Sequence, residues 1–191
     1  MRPGPLDYLA TLDFGIGSDT HAQCIQFDEP AFNSFLKEST EWGMDAMEVA
    51  IDGLDCKTAV HICYGYGIEE NLNWKKTLGD QWRQYEELFP AINQSNIDQV
   101  SLEFAGSRVP PELMRLLPDK EIMVGVISVV KDHIETAEEV ENNIIQALGH
   151  VDAERLIPCT NCGMAPISMD VAKQKLKALG EGSQRAERKI S

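Results

Sequence analysis

No stretch of the chain approaches the roughly 20 consecutive apolar residues that a membrane-crossing helix needs. Met1 to Thr20 also lacks a basic start followed by an apolar region. Together these absences predict a cytoplasmic protein with no membrane partner. Positive charge is scarce as well: 17 Lys and Arg stand against 31 Asp and Glu, a formal net charge of −14. A surface of that sign repels phosphate backbones and anionic lipid, so nucleic acid is excluded as an expected partner. Cysteine is present, but in an odd set of Cys24, Cys56, Cys63, Cys159 and Cys162. In a reducing compartment such a set reads as core residues or metal ligands, not as disulfides. The 191 residues suit one domain, or somewhat more, and can bury a sizeable core.

What the sequence does contain is a succession of strand-then-helix units. Pro3, Gly4, Pro5, Gly15, Gly17 and Ser18 punctuate the first twenty residues, which are expected to be irregular. Gln23 to Phe27 alternates as a strand, and Asp28-Glu29-Pro30 leads into a helical pattern over much of Ala31 to Ile51. Thr58 to Ile62 is a β-branched apolar run closed by Gly65 and Gly67, the composition of a buried strand feeding a loop. A helix from about Trp74 to Ile92 follows, with Leu78, Trp82, Tyr85 and Phe89 as a stripe of core packing. Val100 to Phe104 and Ile122 to Ile127 form two more strands, with a short helix opened by Pro110-Pro111 between them. Thr136 and Glu139 have capping-box spacing before a helix carrying Val140, Ile144 and Leu148, which stops at Gly149. Arg155 to Pro158 is a fifth strand, and Ser168 caps a last helix carrying Ala172, Leu176 and Leu179.

Five such units predict a parallel α/β sheet with right-handed crossovers. The chemically suggestive residues all fall where strands end, which is where α/β sheets and barrels build their sites. His61 and Cys63 project from one face of a strand and offer a metal one nitrogen and one sulfur. Zinc accepts that mixture and usually wants four ligands. Cys159 and Cys162 occupy the same topological position three units later, and the joint pattern predicts a zinc site. Spacing leaves open a closed site using both Cys159 and Cys162, and an open site using one of them with Glu103. Asp28 has two readings, an N-terminal helix cap and a carboxylate aimed at a ligand's amino group.

The ordered segments Ile25-Gln26-Phe27-Asp28-Glu29-Pro30-Ala31, Val60-His61-Ile62-Cys63-Tyr64, Ser101-Leu102-Glu103 and Asn161-Cys162-Gly163 resemble the signatures of cobalamin-independent methionine synthase. The resemblance spans roughly Gln23 to Gly180 and is nearest to the short, single-barrel members of that family. It implies the carboxyl-terminal part of a (β/α)8 TIM barrel, about five βα units over residues 21–180, between an irregular segment 1–20 and a polar tail 181–191 that frays. It further implies zinc held by His61, Cys63, Glu103 and Cys162, a substrate amino group near Asp28, and Cys159 as a neighbour of the site and not a ligand. The activity implied is methyl transfer to homocysteine sulfur, forming methionine, from a methylated folate or another donor.

Two departures from the family pattern accompany the resemblance. Where the folate-using family has Asp and then His after the strand near Gly125, this chain has Ser128 and Val130, with His133 three residues further on as a weak candidate substitute that nothing in the sequence positions. The family's first three barrel strands also have no counterpart, and outer strands near Ile25 and Leu156 would expose unpaired backbone. Self-association, a complementary barrel fragment or marginal stability is therefore expected. Two other classes fit some of the same residues: a non-catalytic zinc-binding or interaction fragment, and a thiol methyltransferase linked to a corrinoid such as methylcobalamin.

Overall fold

The computed structural model describes residues 22–66, 69–129 and 133–190. Its frame is one five-stranded sheet in the order β1-β2-β3-β4-β5, in which every neighbouring pair is parallel. The strands are β1 Cys24–Asp28, β2 Lys57–Ile62, β3 Gln99–Glu103, β4 Glu121–Ile127 and β5 Leu156–Thr160. After β1 a tight turn over Pro30–Asn33 leads into α1, which runs through Leu36–Glu38, a π turn at Ser39–Gly43 and Met44–Ile51. Helices α2 Glu69–Thr77 and α3 Gln84–Gln94 follow β2, a 3-10 turn Pro111–Leu116 follows β3, α4 Ala137–Leu148 follows β4, and α5 Met169–Ile190 follows β5. This is the expected α/β architecture of five βα units, an open portion of a (β/α) barrel with β1 and β5 at its edges. The reading of residues 1–20 as irregular lies outside the described residues.

Apolar side chains on the helix-facing side of the central strands make the core. Val60, Ile62, Val100, Leu102, Ile122 and Val124 are fully buried there with Tyr85, Leu88, Phe89 and Ile92 of α3. Central strands covered on both faces read as nearly unbroken apolar runs, which is why β2 and β4 stood out in the sequence. Tyr85 places its hydroxyl under the site, donating to the Ile62 carbonyl at 2.6 Å and accepting from the Glu103 N–H at 3.2 Å. The capping box is as expected: Glu139 N–H donates to Thr136 Oγ1 at 3.2 Å, and Thr136 N–H donates to the Glu139 carboxylate at 2.7 Å.

Two elements depart from the sequence reading. The single helix expected from about Trp74 to Ile92 is two helices. Arg108, beyond β3, draws the connection out of helical geometry by donating to the Gly79 carbonyl at 2.7 Å and accepting from the Trp82 N–H at 2.9 Å. The stripe still packs as core, with Tyr64 against Trp82 at 4.8 Å and Tyr85 against Phe89 at 4.5 Å between ring centroids. The polar tail expected from residue 181 is instead the second half of α5. Gly182 lets α5 lie directly on α4, since a Cβ there would meet Val140 at 2.5 Å. Buried Glu141 then ties the end of α5 down through Arg185 at 2.7 Å and through Lys189.

Candidate metal centre

Register determines which side chains meet. Asp28 is paired with His61, His61 with Ser101, and Ser101 with Met123. Laterally paired residues of a parallel sheet point the same way, so these four form a row on one face. One level nearer the carboxyl ends, Glu103 is paired with Gly125 and Gly125 with Cys159. The first row, with Gln26, Cys159, Thr160, Cys162 and Gly163, lines an open cavity of about 210 Å³.

Three donors converge at its rim. A ring nitrogen of His61, Cys63 Sγ and Cys162 Sγ all lie within 4.8 Å of one another. The two sulfurs are 3.9 Å apart, close to the roughly 3.8 Å edge of a tetrahedron with metal–sulfur bonds of about 2.3 Å. His61 Nδ1 is 2.9 Å from Ser101 Oγ, whereas Nε2 is buried with no hydrogen-bond partner among the described residues. Burying such an atom unpaired is costly, and a cation on Nε2 removes the cost. The Cys63 thiol donates to Cys162, which with His61 nearby holds Cys162 well below the usual thiol range. Donating that bond, and burial, push Cys63 up. The pair thus shares one proton, which a divalent cation would displace. The residues present therefore fit zinc.

Glu103 is buried but stands outside the three-donor group among the described residues. Its carboxylate accepts from the Tyr64 N–H at 3.2 Å. Burial pushes Glu103 up, against the lowering influence of the Lys75 ammonium, the Tyr66 hydroxyl and the Tyr64 N–H. Lys75 is itself buried, its ammonium 4.2 Å from the Tyr66 ring centroid. Cys159 also stands outside the group; burial raises its thiol to about 12, and a bond from the Ser101 hydroxyl opposes the rise.

Asn161 explains why Cys162 arrives at this rim. Its side-chain oxygen accepts from the Phe104 N–H at 3.1 Å and its amide donates to the Ala105 carbonyl at 2.7 Å. The side chain thereby stitches the exit of β5 to the exit of β3 across β4. Only a glycine leaves room for the crossing, since a Cβ on Gly125 would lie 2.2 Å from Asn161 Oδ1.

The other sequence candidates divide. Asp28 ends β1 on the cavity wall, where its carboxylate accepts from Gln26 Nε2 at 2.9 Å. The following turn has no side-chain cap, so the capping reading is not what the structure shows. His133 is exposed, 3.3 Å from Glu139, and lines a different cavity with Ser128, Glu135 and Asn143. It is not brought to the metal cavity. Val130 lies outside the described residues. Sequence reasoning passed over Ser101, Lys75 and Tyr66. Ser101 had a signal, two residues before Glu103 and so on its face of the strand; the other two come from loop and helix and had none.

The family model described as "Cobalamin-independent synthase, Catalytic domain" matches residues 18–184. A methionine synthase of Saccharolobus islandicus (strain Y.G.57.14 / Yellowstone #1) is 34% identical over 164 residues, which are 85% of this chain and 44% of that protein. One from Saccharolobus solfataricus is 32% identical over 164 residues, with the same coverage of 85% and 44%. A solved B12-independent methionine synthase from Shewanella sp. W3-18-1, in complex with selenomethionine, is 55% identical and superposes with a TM-score of 0.85 over 88% of this chain and 50% of that one. The chain thus spans under half the length of the curated relatives it matches, and the matched part is a partial barrel. With the family model covering most of its residues, the chain belongs to the cobalamin-independent methionine synthase family.

Proposed function

We propose that this chain carries the thiol-activating part of a zinc-dependent methyl transfer to homocysteine sulfur, the step that forms methionine. The observation that carries the reading is the three-donor group of His61, Cys63 and Cys162 with the orphaned His61 Nε2, set at the carboxyl ends of the strands. When bound, zinc supplies a charge that makes a coordinated thiol lose its proton at neutral pH. His61, Cys63 and Cys162 would hold the metal, and Glu103, beside them but bonded to Tyr64, would be the fourth ligand that an incoming thiol displaces or joins. Asp28, on the wall of the same cavity, would receive the substrate's ammonium group. The selenomethionine in the Shewanella relative is the selenium analogue of methionine and supports a product of this class.

In the transfer, the homocysteine sulfur gives up its proton and attacks the methyl carbon as the donor's bond to that carbon breaks. With methylfolate as donor, the departing nitrogen must be protonated. Ser128 and Val130 hold the places where the family has Asp and His, and His133 lines another cavity, so no described residue is assigned that proton. Closing the barrel falls to a complementary barrel part, or to a second copy, laid against β1 and β5, which have no further strand beside them among the described residues.

The test is the metal content of the purified chain and X-ray absorption at the zinc edge, with and without homocysteine. One zinc per chain, gaining sulfur coordination when homocysteine is added, is the expected result. Zinc whose ligands ignore the thiol would leave a structural staple, and absence of zinc would sink the reading.

A further inference from the structure

Cys63 lies where the sheet no longer holds the chain. The last ladder pairs at this end of β2 are Asp28 with His61 and Ile62 with Leu102, which leaves Cys63 one residue past the strand. A metal donor must be held within roughly 0.5 Å of its working geometry. Beyond a ladder, that precision has to come from other bonds to the backbone.

Each of the three carbonyls leaving β2 has a donor from another segment. The His61 carbonyl accepts from the Glu29 N–H at 2.9 Å, and the Ile62 carbonyl from the Tyr85 hydroxyl at 2.6 Å. The Cys63 carbonyl accepts from Asn33 Nδ2 at 3.0 Å. Asn33 ends the turn after β1 and is 1% exposed. That turn is anchored in its own right, since the Ser39 hydroxyl of the π turn in α1 donates to the Phe32 carbonyl at 3.2 Å. Asn33 thus joins the exit of β1 to the exit of β2, as Asn161 joins the exit of β5 to that of β3.

Packing alone does not account for an asparagine at this place. Asn33 Oδ1 is buried with no hydrogen-bond partner among the described residues. An amide oxygen left so costs stability, a cost that an apolar side chain of similar size would avoid. What the amide provides and an apolar side chain cannot is the N–H given to Cys63.

We propose that Asn33 is a positioning residue of the metal centre. It fixes the backbone of Cys63 beyond the end of β2, so that Cys63 Sγ stands beside Cys162 Sγ and the His61 ring before any metal arrives. Asn161 does the same for Cys162, and each thiol of the pair is then set by a buried asparagine. This role rests on the metal-centre reading above, while the Asn33–Cys63 bond belongs to the metal-free chain and is measured separately.

Competition with a chromophoric chelator reads zinc affinity, and cobalt(II) bound in place of zinc reports thiolate ligation through its charge-transfer band. Asn33→Ala is expected to weaken zinc about 10- to 100-fold, the range found when outer partners of a metal site are removed, and to diminish the cobalt band. Ile144→Ala, a truncation of a buried side chain on α4, is expected to lower the melting temperature yet keep both readouts, which separates positioning from general stability. Wild-type zinc affinity in Asn33→Ala overturns the proposal, and so does an equal loss in Ile144→Ala. If Asn33→Ala fails to fold, the wild-type chain decides: a scalar coupling through the hydrogen bond from Asn33 Nδ2 to the Cys63 carbonyl carbon is expected in the metal-free protein, and its absence overturns the proposal. A wild-type chain that takes up no zinc sinks the metal-centre reading and this role with it, whereas zinc bound equally by the wild-type and Asn33→Ala chains removes the role alone.

Discussion

Strand β2 presents two unlike faces within four residues. Val60 and Ile62 are fully buried toward α3, where rings of Tyr64, Trp82, Tyr85 and Phe89 pack at centroid separations of 4.5 to 5.3 Å. His61 and Cys63 are nearly as buried, yet they turn toward the cavity a ring nitrogen without a hydrogen-bond partner among the described residues and a thiol that donates to Cys162 and accepts from the Gly65 N–H. The first face is held by apolar and ring contacts, and the second gathers nitrogen and sulfur donors. Stability and chemistry are therefore divided by strand alternation, with apolar burial on one side supporting metal-type donors on the other. Tyr85 reaches between the two, its hydroxyl bonded to backbone of β2 and β3 immediately beneath the site.

The largest effect expected from that division is at the metal face. Cys162→Ala should abolish tight zinc binding, exceeding the roughly 100-fold loss expected from an outer partner. Cys159→Ala should stay near wild type, and the melting temperatures of the metal-free proteins should barely separate. Isothermal competition for zinc checks this, and the reverse pattern for the two cysteines would remove Cys162 from the donor set. On the opposite face, Phe89→Ala should cost about 3–5 kcal/mol in urea unfolding through the cavity it leaves. Its zinc affinity should keep the wild-type order of magnitude. A large loss of affinity in Phe89→Ala would show that the faces are coupled through Tyr85.

Sequence pattern made one face legible and half of the other. Continuous apolar runs betrayed β2 and β4, and the His61–Cys63 spacing placed two donors on one side because a strand leaves no other choice. Cys162 was visible as a residue but its approach was not. That approach depends on Asn161 crossing β4 over Gly125, a contact between residues 36 positions apart by their numbers. The misjudged tail has a similar cause. Gly180 and Gly182 look like the end of a helix in a local window, yet Gly182 is where α5 rests on Val140. The break between α2 and α3 is set by Arg108 from another unit. Local rules failed wherever a distant segment supplied the deciding bond.

The smallest expected effect lies away from both faces, at the start of α4. Glu139 is held below its usual carboxylate range, first by the Thr136 N–H, then by the Thr136 hydroxyl, with His133 contributing less. A carboxylate depressed in the folded state stabilises above its unfolded pKa, about 4.3 for Glu, and that contribution is lost as pH falls through the folded value. Thr136→Ala should therefore cost about 1 kcal/mol at neutral pH. Glu139→Gln should remove part of the loss that the wild-type chain suffers between neutral pH and about pH 3. Urea midpoints of the three metal-free proteins at both pH values measure the difference. An unchanged acid loss in Glu139→Gln would show that the depressed carboxylate does not set the pH dependence of this end of the fold. Because His133 hydrogen-bonds Glu139 at 3.3 Å, His133→Ala should shift the same acid limb only slightly and leave zinc affinity where it was, as expected of a residue that belongs to the capping box and its cavity and not to the metal rim.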